Sequence, residues 1–160
     1  EGVMPQWRTP FEPITIGKGR KLREGKDVAV LSLGHPGNFV QTAIRELITD
    51  GIDAAHYDMR FAKPLDEDLL HEVFHHHNKI ITVEDGTIIG GFGSAIVEFM
   101  VQHNYHAEIK LLGIPDKIVE HGTLKELYRE CNYDAQGIAN TVRSLVKSQF
   151  STVANSITSI

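Results

Sequence analysis

The sequence predicts one α/β domain whose mostly parallel sheet is covered by helices on both faces. Four short apolar runs alternate along the chain with segments that have the apolar spacing of amphipathic helices. Single helices between successive strands imply right-handed crossovers, which make neighbouring strands parallel. A length of 160 residues is enough for one well-buried core and short for two.

The N-terminal residues 1–13 are expected to form an extended arm, because three prolines in this stretch exclude a helix. The arm carries Trp7 and Phe11, and we expect these two aromatic side chains to pack it on a protein surface. Residues 14–16 are expected to form a short strand, followed by a glycine-containing turn. The domain proper is expected to cover 14–148.

Turn and capping signals set the boundaries of the remaining elements. The run at 28–33 is apolar except for one serine, as in a strand buried on both faces. Asn38 is a candidate N-cap, and Thr123 with Glu126 forms a candidate capping box. The tail at 149–160 is rich in serine and threonine and is expected to fray. The predicted strands are 28–33, 54–59, 79–84 and 108–112, and the predicted helices are 38–49, 66–76, 94–103, 123–130 and 134–147.

The charge balance excludes several classes of partner. A net charge of −5 and a pI near 6.0 leave no basic surface for nucleic acid or an anionic membrane. Five basic residues between Lys18 and Lys26 are interleaved with glycines, and we expect them on a solvated hairpin. No apolar run approaches the ~20 residues of a transmembrane helix, and no signal peptide opens the chain.

The single cysteine, Cys131, excludes an internal disulfide and fits a reducing compartment. Its neighbours in sequence include no helix start or basic cluster that lowers the pKa of a thiol, so we expect a packed, unreactive side chain. These features predict a soluble cytoplasmic protein. The chain starts at Glu1 instead of a methionine, which suggests that it comes from a longer polypeptide.

One segment matches the zinc-protease pattern H-E-x-x-H, with His71, Glu72 and His75 in the corresponding places. Such a motif supplies two zinc ligands one helical turn apart and a carboxylate as general base. However, burial of Val73 and Phe74 against the sheet would turn both histidines to solvent. A third ligand is not evident in the sequence. We therefore interpret the match as a solvated helix face and keep a zinc hydrolase as a weak alternative.

A second candidate is the glycine-rich stretch at 86–93, which follows a predicted strand and precedes a helix. Glycines and a helix start are the elements of a phosphate-binding loop. The dinucleotide fingerprint requires G-x-G-x-x-G, and Ile96 stands where the last glycine belongs. A nucleotide-binding regulatory module remains an alternative. Close packing of two backbones explains the glycines equally well.

A third candidate is His35, in the glycine- and proline-containing loop after the strand at 28–33. Ligands of open α/β sheets bind beyond the carboxyl ends of the strands, which is where this loop is expected. The sequence offers no partner for the imidazole, so a structural or solvated role is favoured over acid–base catalysis.

Four segments, in family order, resemble the 1-deoxy-D-xylulose-5-phosphate synthase family. The most specific one is YDMRFAKPLDEDLL at 57–70, which resembles the family string D-M-R-F-x-K-P-L-D. Transketolases and the pyruvate dehydrogenase β chain share the domain but not this sequence motif. The other three segments are ITIGKG at 14–19, ITVEDGTIIGGFGSA at 81–95 and LGIPDKIVEHGT at 112–123.

The resemblance implies a three-layer α/β/α sandwich, with a five-stranded, mostly parallel mixed sheet like that of the transketolase C-terminal domain. The extra strand, near Ile14, would be antiparallel. The full enzymes use thiamine diphosphate and Mg²⁺ to join a two-carbon unit from pyruvate to glyceraldehyde 3-phosphate. Both cofactors bind on preceding pyrophosphate and pyrimidine domains, whose motifs are absent from this chain. The resemblance therefore assigns no catalytic, cofactor-binding or metal-binding residue here.

The expected role of such a domain is structural: it would pack on the preceding domains and contribute to a homodimer. We expect Gly90, Gly91 and Phe92 to contribute to domain or subunit contacts, in addition to the two aromatics of the arm. On this hypothesis, substitution of Gly91 would weaken dimerisation of the full enzyme. Asp58 and Arg60 are expected to form an internal polar contact.

Overall fold

A computed structural model describes the backbone of residues 13–157 and the side chains of residues 13–147. Ten elements follow one another along this part of the chain. They are β1 (Arg20–Arg23), β2 (Val28–Leu33), α1 (Gly37–Thr49), β3 (Ala54–Asp58), α2 (Glu67–His76), β4 (Lys79–Thr87), α3 (Phe92–Gln102), β5 (Glu108–Ile114), α4 (Leu124–Glu130) and α5 (Ala135–Ile157). Within the described residues, no helix is both long and apolar enough to cross a membrane.

The sheet has five strands in the order β1-β3-β2-β4-β5. Strands β2 to β5 are parallel, and only β1 runs antiparallel, against β3. Because β2 is flanked by β3 on one side and β4 on the other, Val30 lies between His56 and Ile81. The predicted five-stranded, mostly parallel α/β fold is thus confirmed.

Alternating side chains of the sheet build two cores, one on each face. Val28 and Val30 pack with α1 and α5, while Ala29 and Leu31 pack with α2 and α3. All four are fully buried. Burial on both faces explains why β2 lacks the polar alternation of a half-exposed strand. Each buried aliphatic side chain of this size adds about 1.5–3 kcal/mol of hydrophobic stabilisation.

The antiparallel strand differs from its prediction. It lies at Arg20–Arg23, and residues 14–16 are exposed and lead into a turn at Gly17. Just before the strand, Gly19 passes close to β3, where an added Cβ would lie 3.0 Å from the Asp58 carbonyl oxygen. Pairing with β3 begins only after this close approach.

The basic residues of this segment are mostly exposed, as predicted, although they lie on and beside the edge strand β1, where several of them face acidic partners. Arg20 donates to Asp58 at 3.0 Å, and Lys21 forms an ion pair with Glu72. Edge strands with charged side chains resist pairing with other chains, so the basic character of β1 protects this edge.

Several element boundaries also shift relative to the sequence prediction. Helix α1 starts at Gly37 after Pro36, so Asn38 lies in its first turn and is not the N-cap. Helix α5 continues to Ile157, where a frayed tail was predicted. In contrast, the capping box of Thr123 and Glu126 is confirmed at the start of α4. The capping box could be predicted from sequence because its hydrogen bonds join residues three positions apart.

Gly93 offers a test of how tightly α3 packs on the sheet. A Cβ at this buried position would lie 2.6 Å from Thr82 Oγ1 and 2.9 Å from Leu111 Cδ2. Overpacking of this kind costs about 1–3 kcal/mol, partly offset by the roughly 1 kcal/mol helix preference of alanine. We expect Gly93→Ala to lower the free energy of unfolding by up to about 2 kcal/mol in urea titrations. The matched control is Gly122→Ala, whose Cβ would make ordinary contacts at 3.5 Å or more and should change stability by less than about 0.5 kcal/mol.

Candidate functional site

The strand order places a topological switch point between β2 and β4. The chain leaves β2 towards the face that holds α1, and it leaves β4 towards the face that holds α3. The two loops diverge there and open a crevice at the carboxyl edge of the sheet. Open α/β sheets bind ligands in such crevices, so this edge is the first place to look for a site.

A polar triad of His35, Asp85 and Tyr133 lies in this crevice. The Tyr133 hydroxyl donates to Asp85 Oδ1 at 2.7 Å, and His35 Nδ1 lies 3.4 Å from Asp85 Oδ2. Burial and the bond to the carboxylate raise the pKa of the Tyr133 hydroxyl well above its usual range. His35 therefore has a partner that the sequence did not reveal, because Asp85 is fifty residues away along the chain.

Aromatic rings surround the triad and continue into a cavity. The ring centroid of Tyr128 lies 5.3 Å from that of His35, 5.1 Å from that of Phe39 and 5.3 Å from that of Tyr133. The adjoining cavity has a volume of about 340 Å³ and a mainly apolar wall. Its lining consists of Asp85, Ile114, Val119, Glu120, His121, Leu124, Leu127, Tyr128, Cys131 and Tyr133.

This arrangement is suited to binding and has no activated nucleophile. Cys131 lies in the cavity wall, but it is 8% exposed and its burial raises the pKa of the thiol, so the thiolate is scarce at neutral pH. Both oxygens of Asp85 already have partners within the domain. The prediction of a packed cysteine is thus confirmed.

The glycine-rich loop is organised around Glu84, the last buried residue of β4. Glu84 Oε2 accepts from the Phe92 amide and Oε1 accepts from the Gly93 amide, both at 2.8 Å. The carboxylate therefore occupies the place at the start of α3 where the free backbone amides would otherwise bind an external anion. Gly91 passes beside this carboxylate and the Thr87 carbonyl, where a Cβ would overlap both. Gly91 and Gly93 therefore serve packing within the domain, and Glu84 fills the place that a phosphate would take at the start of α3.

The three residues proposed for subunit contacts differ in what they present to a partner. Phe92 is 2% exposed and packs inside the core, so its side chain is not available to another subunit. A side chain at Gly91 would collide inside the loop, so its substitution does not report on an interface. Gly90 has open space around it and a φ of +71°. Beside it, Ile89 is 62% exposed, and sequence analysis missed this residue.

The H-E-x-x-H segment lies on α2, and only one of its histidines faces solvent. His71 is half-buried in an aromatic cluster, where its Nδ1 lies 2.7 Å from the Tyr105 hydroxyl. The imidazole also packs against Phe99 and His103. The prediction that both histidines point to solvent is therefore wrong for His71, because the segment after α3 folds over it. Within residues 13–147, no group of three potential metal ligands comes together.

A buried Ser–His pair was not anticipated from sequence. Ser32 Oγ on β2 lies 2.8 Å from His56 Nε2 on the adjacent strand β3, and both side chains are almost fully buried. Desolvation lowers the pKa of His56 from 6.5 to about 4, so the imidazole is neutral at physiological pH. The pair lies beneath Gly37, and neither side chain is more than 1% exposed. Its role is to satisfy polar groups inside the sheet.

The remaining predicted residues are accounted for as follows. Arg60 contacts Asp58 through its backbone amide at 3.3 Å and its guanidinium at 3.9 Å, which matches the expected internal polar contact. Arg20 is the closer ion-pair partner of Asp58. Trp7 and Phe11 lie outside the described residues.

Comparison with known families decides what kind of domain this is. A family model described as the C-terminal domain of transketolase matches residues 17–138, which is most of the chain. The chain belongs to the transketolase C-terminal domain family. In this member of the family, the sheet is covered on both faces, its carboxyl edge holds the crevice, and the loop after β4 is organised around Glu84.

Curated relatives of this transketolase-type domain are 1-deoxy-D-xylulose-5-phosphate synthases. The synthase of Cytophaga hutchinsonii is 59% identical over 91% of the chain, and that of Bacteroides thetaiotaomicron is 52% identical over 86%. The chain spans only 23% and 21% of these relatives, respectively. It thus corresponds to one segment of a much longer protein in each relative.

Two solved structures share the fold. A split-gene transketolase, described as an inactive β4 tetramer, superposes with a TM-score of 0.76 at 31% identity, covering 86% of this chain and 44% of that one. Transketolase from Campylobacter jejuni superposes with a TM-score of 0.59 at 17% identity, covering 80% of this chain and 18% of that one. The second likeness concerns the fold alone.

The Glu84 cap generates a prediction about stability. Glu84→Ala would leave the Phe92 and Gly93 amides without their charged acceptor inside the domain, and bonds to charged groups contribute about 1.5–3 kcal/mol. We expect the free energy of unfolding to fall by about 2 kcal/mol in urea titrations. Glu84→Gln should also destabilise, because its amide nitrogen cannot accept a hydrogen bond. Glu120→Ala, at an exposed glutamate, is the control; an equal loss in that variant would contradict the capping role.

The buried imidazole of His56 predicts a pH dependence. The unfolded chain binds a proton at this residue with a pKa near 6.5, whereas the folded chain does so only near 4. The unfolded state therefore binds more protons between these values, and stability is lost as the pH falls from 6.5 to 4. We expect His56 to account for up to about 3 kcal/mol of that loss.

The measurement compares the unfolding free energy of the unsubstituted chain and His56→Gln at pH 7 and pH 4.5. Glutamine keeps a hydrogen-bonding partner for Ser32 but does not titrate. The variant should lose less stability on acidification than the unsubstituted chain. Identical pH profiles would show that His56 is accessible to protons in the folded state.

Proposed function

We propose that this chain is the C-terminal domain of a 1-deoxy-D-xylulose-5-phosphate synthase, a transketolase-type transferase. The 59% identity to such a synthase over 91% of the chain carries the proposal. The enzyme would condense pyruvate with glyceraldehyde 3-phosphate and release CO₂. Its product feeds non-mevalonate isoprenoid synthesis and the synthesis of thiamine and pyridoxal. The location would be cytoplasmic.

Thiamine diphosphate and Mg²⁺ are the cofactors that such a synthase requires, and the described residues do not fit them. The start of α3 is occupied by the carboxylate of Glu84, so a pyrophosphate would meet a negative charge there. Within the described part of the chain, no set of three side chains is placed to hold a metal ion. We therefore assign both cofactors to the preceding pyrophosphate and pyrimidine domains of the same polypeptide.

The domain's own role would be structural. It would pack on the preceding domains and contribute to a homodimer, while the isolated chain would be inactive. The absence of an activated nucleophile at the switch-point crevice supports this role. A solved relative described as an inactive β4 tetramer supports the idea that assembly and activity can be separate properties in this family.

The two alternative functions lack a supporting observation in the structure. A nucleotide-binding module would need a free anion position at the start of α3, and Glu84 fills it. A zinc hydrolase would need two converging imidazoles and a third ligand. Within residues 13–147 no such group comes together, and His71 Nδ1 lies 2.7 Å from the Tyr105 hydroxyl. The synthase domain therefore remains the one function that we propose.

A domain graft tests the proposal. Residues 14–148 of this chain would replace the matching segment of the Cytophaga hutchinsonii synthase. We expect the chimera to form 1-deoxy-D-xylulose 5-phosphate with a kcat/KM within about tenfold of the parent, which corresponds to about 1.4 kcal/mol. The chain alone should form no product from the same substrates.

The matched control is a graft of the fold-equivalent domain of Campylobacter jejuni transketolase, which is 17% identical to this chain. That chimera should lose activity, because the surface of the grafted transketolase domain is adapted to the other domains of transketolase. A chimera with this chain that folds and elutes like the parent but makes no product would overturn the proposal. Product formation by the chain alone would overturn the structural role.

A further inference from the structure

The polypeptide enters the domain at the carboxyl edge of the sheet. Strand β1 is antiparallel, and its first residue, Arg20, pairs with Asp58, the last residue of β3. Just before β1, Gly17 packs beside Pro64, which follows β3. The described part of the chain therefore begins at the edge that also holds the switch-point crevice.

Exposed apolar side chains are concentrated at the same edge. Among the described residues, eight large hydrophobic side chains are exposed, and five of them precede β1 or follow β4 or β5 at their carboxyl ends. These five are distributed along the carboxyl edge from the β1 end of the sheet to the β5 end, and we name them the carboxyl-edge patch: Ile14 (59% exposed), Ile16 (75%), Ile89 (62%), Ile118 (94%) and Leu124 (66%). By contrast, Ile48 and Val101 lie at the C-terminal ends of α1 and α3, near the opposite edge.

The loop that carries Ile89 is held in place and not merely loose. The Gly90 amide donates to Ser94 Oγ at 2.9 Å, and that hydroxyl donates to the Ile88 carbonyl at 3.0 Å. The Ile88 amide in turn donates to the carbonyl of Ile114, at the end of β5. The domain thus presents the Ile89 side chain outward on a fixed turn.

Helix α4 packs on the domain through Tyr128, whose ring contacts His35, Phe39 and Tyr133. It has seven residues and none of them is buried, although Leu124 and Leu127 are apolar. Helices this short are not stable by themselves in water, and the capping box adds only about 1 kcal/mol. The cavity of about 340 Å³ beneath α4 has a mainly apolar wall. Helix and cavity together form a surface that a second apolar surface would complete.

We propose that the carboxyl-edge patch and α4 dock against the part of the same polypeptide that precedes residue 13. The inference rests on the proposed function, since the curated synthases are more than four times as long as the segment that they share with this chain. The occupant is an apolar surface of the preceding domain, which the entering chain brings to this edge. Apolar patches on otherwise polar surfaces mark such contacts.

Cysteine labelling in the full-length synthase tests the docking surface. Ile118→Cys places a thiol in the patch, and Val101→Cys places one near the opposite edge. Both native side chains are exposed within the domain, so neither substitution should disturb the domain's fold. We expect a maleimide to label Ile118→Cys about tenfold more slowly than Val101→Cys in the native enzyme, and equally fast in urea. The unsubstituted enzyme gives the background from Cys131 and other cysteines.

Equal labelling of the two thiols in the native enzyme would overturn the inference. Slow labelling of Ile118→Cys that becomes fast on dilution, as the sedimenting mass halves, would also overturn it, because a second copy would then be the occupant. Protection that persists in the diluted species would support docking within one polypeptide. If the grafted synthase is active while Ile118→Cys labels freely, the proposed function stands and only the docking surface fails.

Discussion

The buried carboxylate of Glu84 fixes the geometry on which the central part of the domain depends. Its two oxygens accept from the first amides of α3, so the chain must reverse direction within a few residues of β4. Around this carboxylate there is no room for a side chain at Gly91 or at Gly113. A charged acceptor at a helix start is favourable both for the hydrogen bonds and for the helix dipole. The same residue that organises the loop also prevents it from holding an external anion.

The two edges of the sheet, at the carboxyl and amino ends of its strands, carry different kinds of side chain. The carboxyl edge combines the entering chain, the His35–Asp85–Tyr133 triad, an apolar cavity and a cluster of exposed isoleucines. In many α/β proteins this edge binds a small ligand and performs chemistry. Here Asp85 is paired with both Tyr133 and His35, and the thiol of Cys131 is buried.

Much of the fold was predictable because the relevant signals are local. The apolar run of β2, the capping box at Thr123 and the spacing of apolar residues on α2 each depend on a few adjacent residues. The antiparallel strand was misplaced because its position depends on pairing with β3, where Arg20 lies opposite Asp58. The partner of His35 and the environment of His71 were missed for the same reason. Contacts between distant residues leave no pattern in a single sequence.

The sequence by itself determined the fold class, the family resemblance and the capping box of Thr123 and Glu126, because the burial pattern and these hydrogen bonds depend on residues close together in the chain. Only the tertiary structure decided which glycines pack internally, which of the candidate interface residues is exposed, and that Glu84 fills the anion position. Phe92 and Ile89 illustrate the difference: both are large and apolar, and they are three residues apart. One is buried and the other is presented to solvent, because the turn between them is set by a carboxylate from the preceding strand.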